Sequence, residues 1–215
     1  VRADFSLYQI TAIPTAGLVA YYPFNGNAID ASGNGYNGTV YGATLATDRF
    51  QRVNSSYQFN GSSSYIDIPN TSNLNFMTGG FSLAAWMLFT DDTRTQCIFG
   101  KGKSNVTAGY LLAIVGTKVD FVVDGQYAVT DNSTIKGSWH FVCGVYDGTN
   151  GYLYIDGQQK ATTSMTYVHA STANIKIGNI DVPENFFKGM IDDVRIYSRP
   201  LTSTEVQLLY HEGGW

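Results

Sequence analysis

The sequence predicts an all-β domain: a sandwich of two antiparallel sheets, a jelly roll, closed by one short C-terminal helix. Three observations carry this. The 215 residues include 23 glycines but only five prolines, with 15 tyrosines and 12 phenylalanines, a composition suited to many short strands joined by tight turns. Runs of alternating or β-branched residues are separated by turn signals. No 3.6-residue period longer than about three turns occurs before residue 201, which argues against βαβ repeats and a parallel doubly wound sheet.

Taken in order, residues 1–16, VRADFSLYQITAIPTA, show no clean period and end in a proline-containing stretch. They read as a linker or the tail of a preceding module, with the domain spanning 17–215. Eleven runs then read as strands: 17–24, 56–59, 65–68, 81–89, 96–99, 110–115, 118–123, 139–146, 152–155, 174–177 and 190–197. Asp124-Gly125, Asp147-Gly148 and Asp156-Gly157 each follow such a run, and Asp-Gly supplies the positive φ angles of tight hairpins. Residues 201–211 form the expected helix. Thr202 and Glu205 have capping-box spacing, Leu201 and Val206 have hydrophobic-staple spacing, and Gly213 and Gly214 stop the chain.

Thirteen basic and seventeen acidic side chains give a formal net charge of −4, and no lysine or arginine cluster offers a phosphate-tracking surface, so nucleic acid is not an expected partner. Apolar runs such as 81–89 fall far short of the roughly 20 residues a membrane helix needs, and no membrane insertion is expected. Cys97 and Cys143 can form one disulfide or remain two buried thiols, and their strand settings favour thiols.

Three segments share an order and spacing: LVAYYPFNGNAIDASGNGYNGTVYGA (18–43), SYQFNGSSSYIDIP with FSLAAWMLF (56–89), and GSWHFVCGVYDGTNGYLYIDGQQ with FFKGMIDDVRIYSRPLTSTEVQLLY (137–210). Together they resemble the laminin-G-like jelly rolls of the concanavalin A-like lectin and glucanase superfamily, over roughly residues 17–212. The resemblance implies two curved antiparallel sheets. It also implies a carbohydrate-binding or adhesive module of a larger secreted or cell-surface protein, with a polysaccharide or other glycan as ligand and protein as the alternative partner.

Fold alone does not decide activity. The glucanases of this superfamily resemble one another in placing acidic residues on near-alternate positions of one strand. Here the only glutamates are Glu184, Glu205 and Glu212, in a loop, a helix cap and the tail. Asp192 and Asp193 are adjacent, which on a regular strand sends them to opposite faces. His140, His169 and His211 fall in different elements, and no nucleophile elbow is present. The expectation is a non-enzyme, with a hydrolase whose carboxylates come from separate strands as an alternative.

The loop 25–38 concentrates Asn, Asp and Gly, either as Asx turns or as oxygen ligands for calcium. The resemblance implies a structural calcium joining this loop to the last strand, with Asp30 and Asp192 as ligands, supported by Asn34, Asn37 and a main-chain carbonyl near Gly61. Asp192 is expected to face inward with Val194 and Ile196, and so to need a cation or several donors, while Asp193 pairs with Arg195 on the surface. For a sugar, the candidates are aromatic and polar residues in turn-rich segments: Tyr36, Tyr127, Tyr167, His169, Asp181, Asn185 and Phe186. Lys101, Lys103 and Asn105 could add donors. Trp86 and Trp139 read as core.

Overall fold

Alternation along short strands decides the architecture. The computed structural model describes residues 12–76, 79–91, 93–102, 108–129, 135–165, 169–180 and 184–215. Among these the chain forms β1 (Leu18–Tyr22), β2 (Thr39–Tyr41), β3 (Thr44–Ala46), β4 (Ser56–Asn60), β5 (Tyr65–Ile68), β6 (Phe81–Phe89), β7 (Thr95–Lys101) and β8 (Tyr110–Val115). There follow β9 (Lys118–Val123), β10 (Gln126–Val129), β11 (His140–Tyr146), β12 (Asn150–Ile155), β13 (Gln158–Ser164), β14 (Ile175–Ile177), β15 (Lys188–Tyr197) and α1 (Ser203–Tyr210). One sheet runs β13-β12-β11-β6-β15-β4-β3, with β1 also on β15, and the other runs β10-β9-β8-β7-β14-β5-β2. The pairings are antiparallel, as the hairpin signals required.

Inward residues such as Phe81, Leu83, Leu112, Phe121, Val142 and Ile196 form the core between the sheets. A second cluster lies on the outer face of the first sheet, where Val206 and Leu209 of α1 cover Trp86, Phe141 and Cys143. This explains the unbroken apolar run of β6, which is buried on both faces. The helix starts where expected: Thr202 and Glu205 make the full capping box. Arg199 binds the Glu205 carboxylate at 2.6 and 2.9 Å and holds its pKa down at about 2.

The strands β2, β3, β10 and β13 go beyond the sequence reading. The β2 and β3 strands are three-residue, largely exposed edges, and β13 is the polar segment QQKATTS, so none carries a buried alternation. Asp124-Gly125 and Asp156-Gly157 have positive φ at both residues, as a two-residue hairpin loop needs. Asp147 instead accepts from the Thr149 and Asn150 amides at 2.8 and 2.7 Å, an Asx turn. Ahead of β1, the Pro14 carbonyl accepts from Tyr197 Oη at 3.0 Å, and the Ala16 carbonyl from Arg199 Nε at 2.7 Å. The last residues of the expected linker are therefore fastened to the sandwich. Cys97 and Cys143 are free and buried, in clusters on the outer faces of different sheets, so they cannot meet.

Candidate functional site

Register places one set of side chains on the outer face of the seven-stranded sheet. Cys97 pairs with Ala113 and Ala113 with Asp120, while Leu111 pairs with Val122 and Val122 with Tyr127. Their strand neighbours Val119, Phe121 and Val123 are fully buried in the inter-sheet core. Ile180 and Asn185 close one wall, the Asn185 carbonyl accepting from the Cys97 amide at 2.9 Å. The result is a cavity of about 370 Å³ lined by Thr95, Cys97, Ala113, Asp120, Tyr127 and Asn185, among others.

The chemistry of this cavity is uneven in a useful way. Its floor is apolar, built on the small cluster of Cys97, Leu111, Ala113, Val122 and Ile180. Asp120 is 5% exposed, and its Oδ1 is buried with no hydrogen-bond partner. Burial pushes this carboxyl up to about 6, with Lys118 opposing the shift. Leaving an acceptor buried and unpaired costs about 1–3 kcal/mol, so the position is expensive unless a ligand uses it. Tyr127 stands at the rim, 48% exposed. An aromatic face, an apolar floor and an unused acceptor form the combination that receives a sugar ring. Burial raises the Cys97 thiol well above its usual range, which leaves it inert.

Of the residues singled out for a ligand, Tyr127 and Asn185 meet in this cavity. Phe186 turns from it toward Tyr65, at a ring distance of 6.5 Å. His169 is separate, with Nδ1 2.8 Å from Asp124 Oδ2. Tyr36 packs partly against the core, takes a hydrogen bond from Asn73 at 2.9 Å, and lines a different cavity of about 290 Å³ with Asn34. Tyr167, Asp181, Lys103 and Asn105 lie outside the described residues. Lys101 is buried and donates to Asn70 and to the Ala173 carbonyl, so it offers nothing to a ligand. Sequence reasoning missed Asp120. The signal was present: an aspartate midway through the apolar strand KVDFVV.

The residues expected to hold calcium are not brought into one ligand set. Asp30 Oδ1 accepts from the Tyr21 and Ser32 amides, and Oδ2 from Ser32 Oγ and the Tyr36 amide, at 2.9–3.0 Å. The amide oxygen of Asn37 receives the Asp30 amide, and Asn34 donates to the Val19 carbonyl. At Gly61 the Arg94 guanidinium and the aliphatic stem of Lys188 fill the space a Cβ would take. Asp192 takes the Asp193 amide at 2.8 Å and Arg49 Nη1 at 2.9 Å. The oxygens of Asp30, Asn37 and Asp192 thus face N–H groups, a donor pattern that does not suit calcium. Among the described residues no group of three or more His, Cys, Asp or Glu side chains could hold a metal.

The acidic pair in β15 also departs from expectation. Pairing shifts between Asp192 and Arg195, and Asp193 has φ of +49°, a bulge that turns both carboxylates to one side. Arg49 Nη1 bonds both, at 2.9 and 2.8 Å, and its guanidinium lies 4.5 Å from the rings of both Phe50 and Trp86. Asp192 is therefore parted from Val194 and Ile196, which stay in the inter-sheet core. Asp193 is buried rather than at the surface, and Arg195 reaches on to Glu212 at 2.7 Å.

One hydrolase-like grouping escaped the sequence reading. Ser138 Oγ lies 3.0 Å from His140 Nε2, and His140 Nδ1 lies 2.7 Å from Asp156 Oδ2, in the order of a nucleophilic triad. Asp156 Oδ1 also takes the Phe141 amide at 3.0 Å, so the group ties the start of β11 to the β12–β13 hairpin. None of the three residues lines the cavities of about 370 and 290 Å³, and the Gly137 amide, which could have served an oxyanion, is bonded to the Phe89 carbonyl. Among the described residues that line the larger cavity, Asp120 is the one carboxylate.

Residues 60–207 match a family model described as the concanavalin A-like lectin/glucanases superfamily, of the laminin G type. No curated protein matches the chain. Among solved structures, the ligand-binding domain of botulinum neurotoxin serotype D in complex with N-acetylneuraminic acid aligns with a TM-score of 0.73 and 18% identity, over 93% of this chain and 52% of that one. The receptor-binding domain of the C/D mosaic serotype gives 0.72 and 17%, over 93% and 52%. The binding domain of botulinum neurotoxin DC in complex with rat synaptotagmin II gives 0.69 and 17%, again over 93% and 52%. At these identities the likeness is one of fold, and the chain spans about half the length of the structures it matches.

Proposed function

The chain belongs to the concanavalin A-like lectin/glucanase superfamily, and on that premise we propose that it is a non-catalytic carbohydrate-binding module of a larger secreted or cell-surface protein. The observation that carries this reading is the unpartnered, buried Oδ1 of Asp120 on an apolar floor beside the exposed ring of Tyr127. A pyranose stacks its C–H face on such a ring and donates a hydroxyl to such an oxygen. Asp120 also selects. An acidic sugar would bring like charge to a carboxylate in a poorly solvated site, so the ligand is a neutral sugar. Sialic acid and synaptotagmin, found on the neurotoxin domains, support glycan and protein as partner classes without naming this chain's own.

Affinity electrophoresis in gels containing neutral polysaccharides tests the reading. The wild-type chain is retarded by at least one of them, and Tyr127→Ala is not. A wild-type chain that runs freely through every gel would refute it.

We infer that Arg49 supplies, from the chain itself, the positive charge beside Asp192 that calcium was expected to bring. The thermal midpoint should then be the same in millimolar calcium and in excess chelator. A rise with calcium would restore the metal site and contradict the donor pattern described above.

A further inference from the structure

The outer face that holds the cavity carries a second aromatic group. Tyr41 on β2 and Tyr65 on β5 are directly opposite in register, with rings stacked 4.8 Å apart at 16°. Their partners in the alternation, Ile66 and Ile68, point into the inter-sheet core, so Tyr65 and Asp67 face outward. Lys176 places Nζ 4.6 Å over the Tyr65 ring. Asp67 accepts from Asn174 at 2.8 Å, which sets a carboxylate and an amide beside the rings. Tyr41 is 46% exposed, and β2 is the edge of its sheet, with no strand beyond it among the described residues.

The cavity and this tyrosine pair are joined by one short segment. Asn185 lines the cavity, and the next residue, Phe186, faces Tyr65. From Tyr127 on β10 to Tyr41 on β2 the path crosses the whole sheet, six strand intervals in the order β10-β9-β8-β7-β14-β5-β2. At a spacing of ~4.8 Å this is about 29 Å. One or two sugar rings cannot cover that distance.

We propose that Tyr41, backed by Tyr65, forms a second sugar platform, and that the ligand is an extended neutral polysaccharide lying across the strands. This rests on the carbohydrate-binding reading of the cavity given above. Stacking holds the Tyr41 ring in place before binding, so little ordering is left to offset affinity. The framing of the rings by Asp67 and Asn174, rather than by further apolar surface, suits a hydroxyl-rich chain. Two weak sites on one polymer raise each other's effective concentration, which multiplies affinity without new contacts.

The test uses the neutral polysaccharide that most retards the wild-type chain and a trisaccharide cut from it, both measured by calorimetry. The double variant Tyr41→Ala with Tyr65→Ala should lose roughly tenfold or more in affinity for the polymer and keep its affinity for the trisaccharide. Tyr127→Ala should lose both. If the double variant, folded by circular dichroism, binds the polymer as the wild type does while Tyr127→Ala fails, the second platform is wrong and the cavity reading stands. If the wild-type chain binds polymer and trisaccharide equally well, the extended ligand is wrong. If it binds no polysaccharide, both readings fall.

Discussion

Replacing Arg49 with methionine is expected to lower the unfolding free energy by about 3–5 kcal/mol, the usual result of removing one partner from a buried ion pair. The side chain is 1% exposed and its Nη1 serves both Asp192 and Asp193. Without it, two adjacent carboxylates stay buried with Arg195 3.7 Å from Asp193, the Tyr21 hydroxyl on Asp193 at 2.7 Å and the more exposed Arg52 as the remaining cation. Methionine keeps contact with Phe50 and Trp86, so the loss reports charge more than packing. The pH dependence gives a second readout. Burial, and the charge of Asp193 beside it, raise the Asp192 pKa above its ordinary value, and Arg49 pulls it back. A raised folded pKa contributes stability that is fully present below the unfolded value and is lost as pH rises through the folded one. Removing Arg49 raises it further, so in urea titrations the variant's deficit should stay constant while Asp192 is protonated in both folded chains and grow once pH passes the wild-type value of about 8. A pH-independent deficit, or one under about 1 kcal/mol, would show that the guanidinium is not what holds these acids.

The fold was readable because its large signals are local. Asp124-Gly125 and Asp156-Gly157 announce their hairpins, Thr202 with Glu205 announces the helix, and the alternation of 118–123 announces which side faces the core. The acidic pair was misread because strand alternation was assumed through Asp192-Asp193, where a bulge interrupts it. Nothing in the local sequence marks that bulge, and the Arg49 that bonds both carboxylates comes from a distant segment. The candidate site was half legible. Tyr127 and Asn185 sit in turn-rich stretches that attract attention, whereas Asp120, Cys97 and Leu111 are strand residues whose outward face becomes a cavity only with Ile180 and Asn185 beside it. Likewise the partners of His140 are in reach only because β11 pairs with β12.

Asp120→Asn should move stability and binding in opposite directions. In the wild-type chain burial raises this carboxyl from 3.8 to about 6, so its contribution is complete below the unfolded value and is lost as pH rises through about 6. Asparagine has no such loss. Above pH 7 the variant should therefore be more stable by about 1–2 kcal/mol, a figure reduced because the cavity opens to water, and near pH 4 the two should be equal. Binding should go the other way. An ionised oxygen accepts a sugar hydroxyl more strongly than an amide oxygen does, so at pH 8 the variant should bind the polysaccharide about tenfold more weakly, a difference of ~1.4 kcal/mol. Wild-type affinity should climb between pH 5 and pH 7 as Asp120 ionises, while that of the variant stays flat. Such a split is the mark of a residue kept for a ligand at the expense of the fold. A variant that loses stability as well as affinity would make Asp120 a structural group, and a flat wild-type pH profile would place the sugar elsewhere.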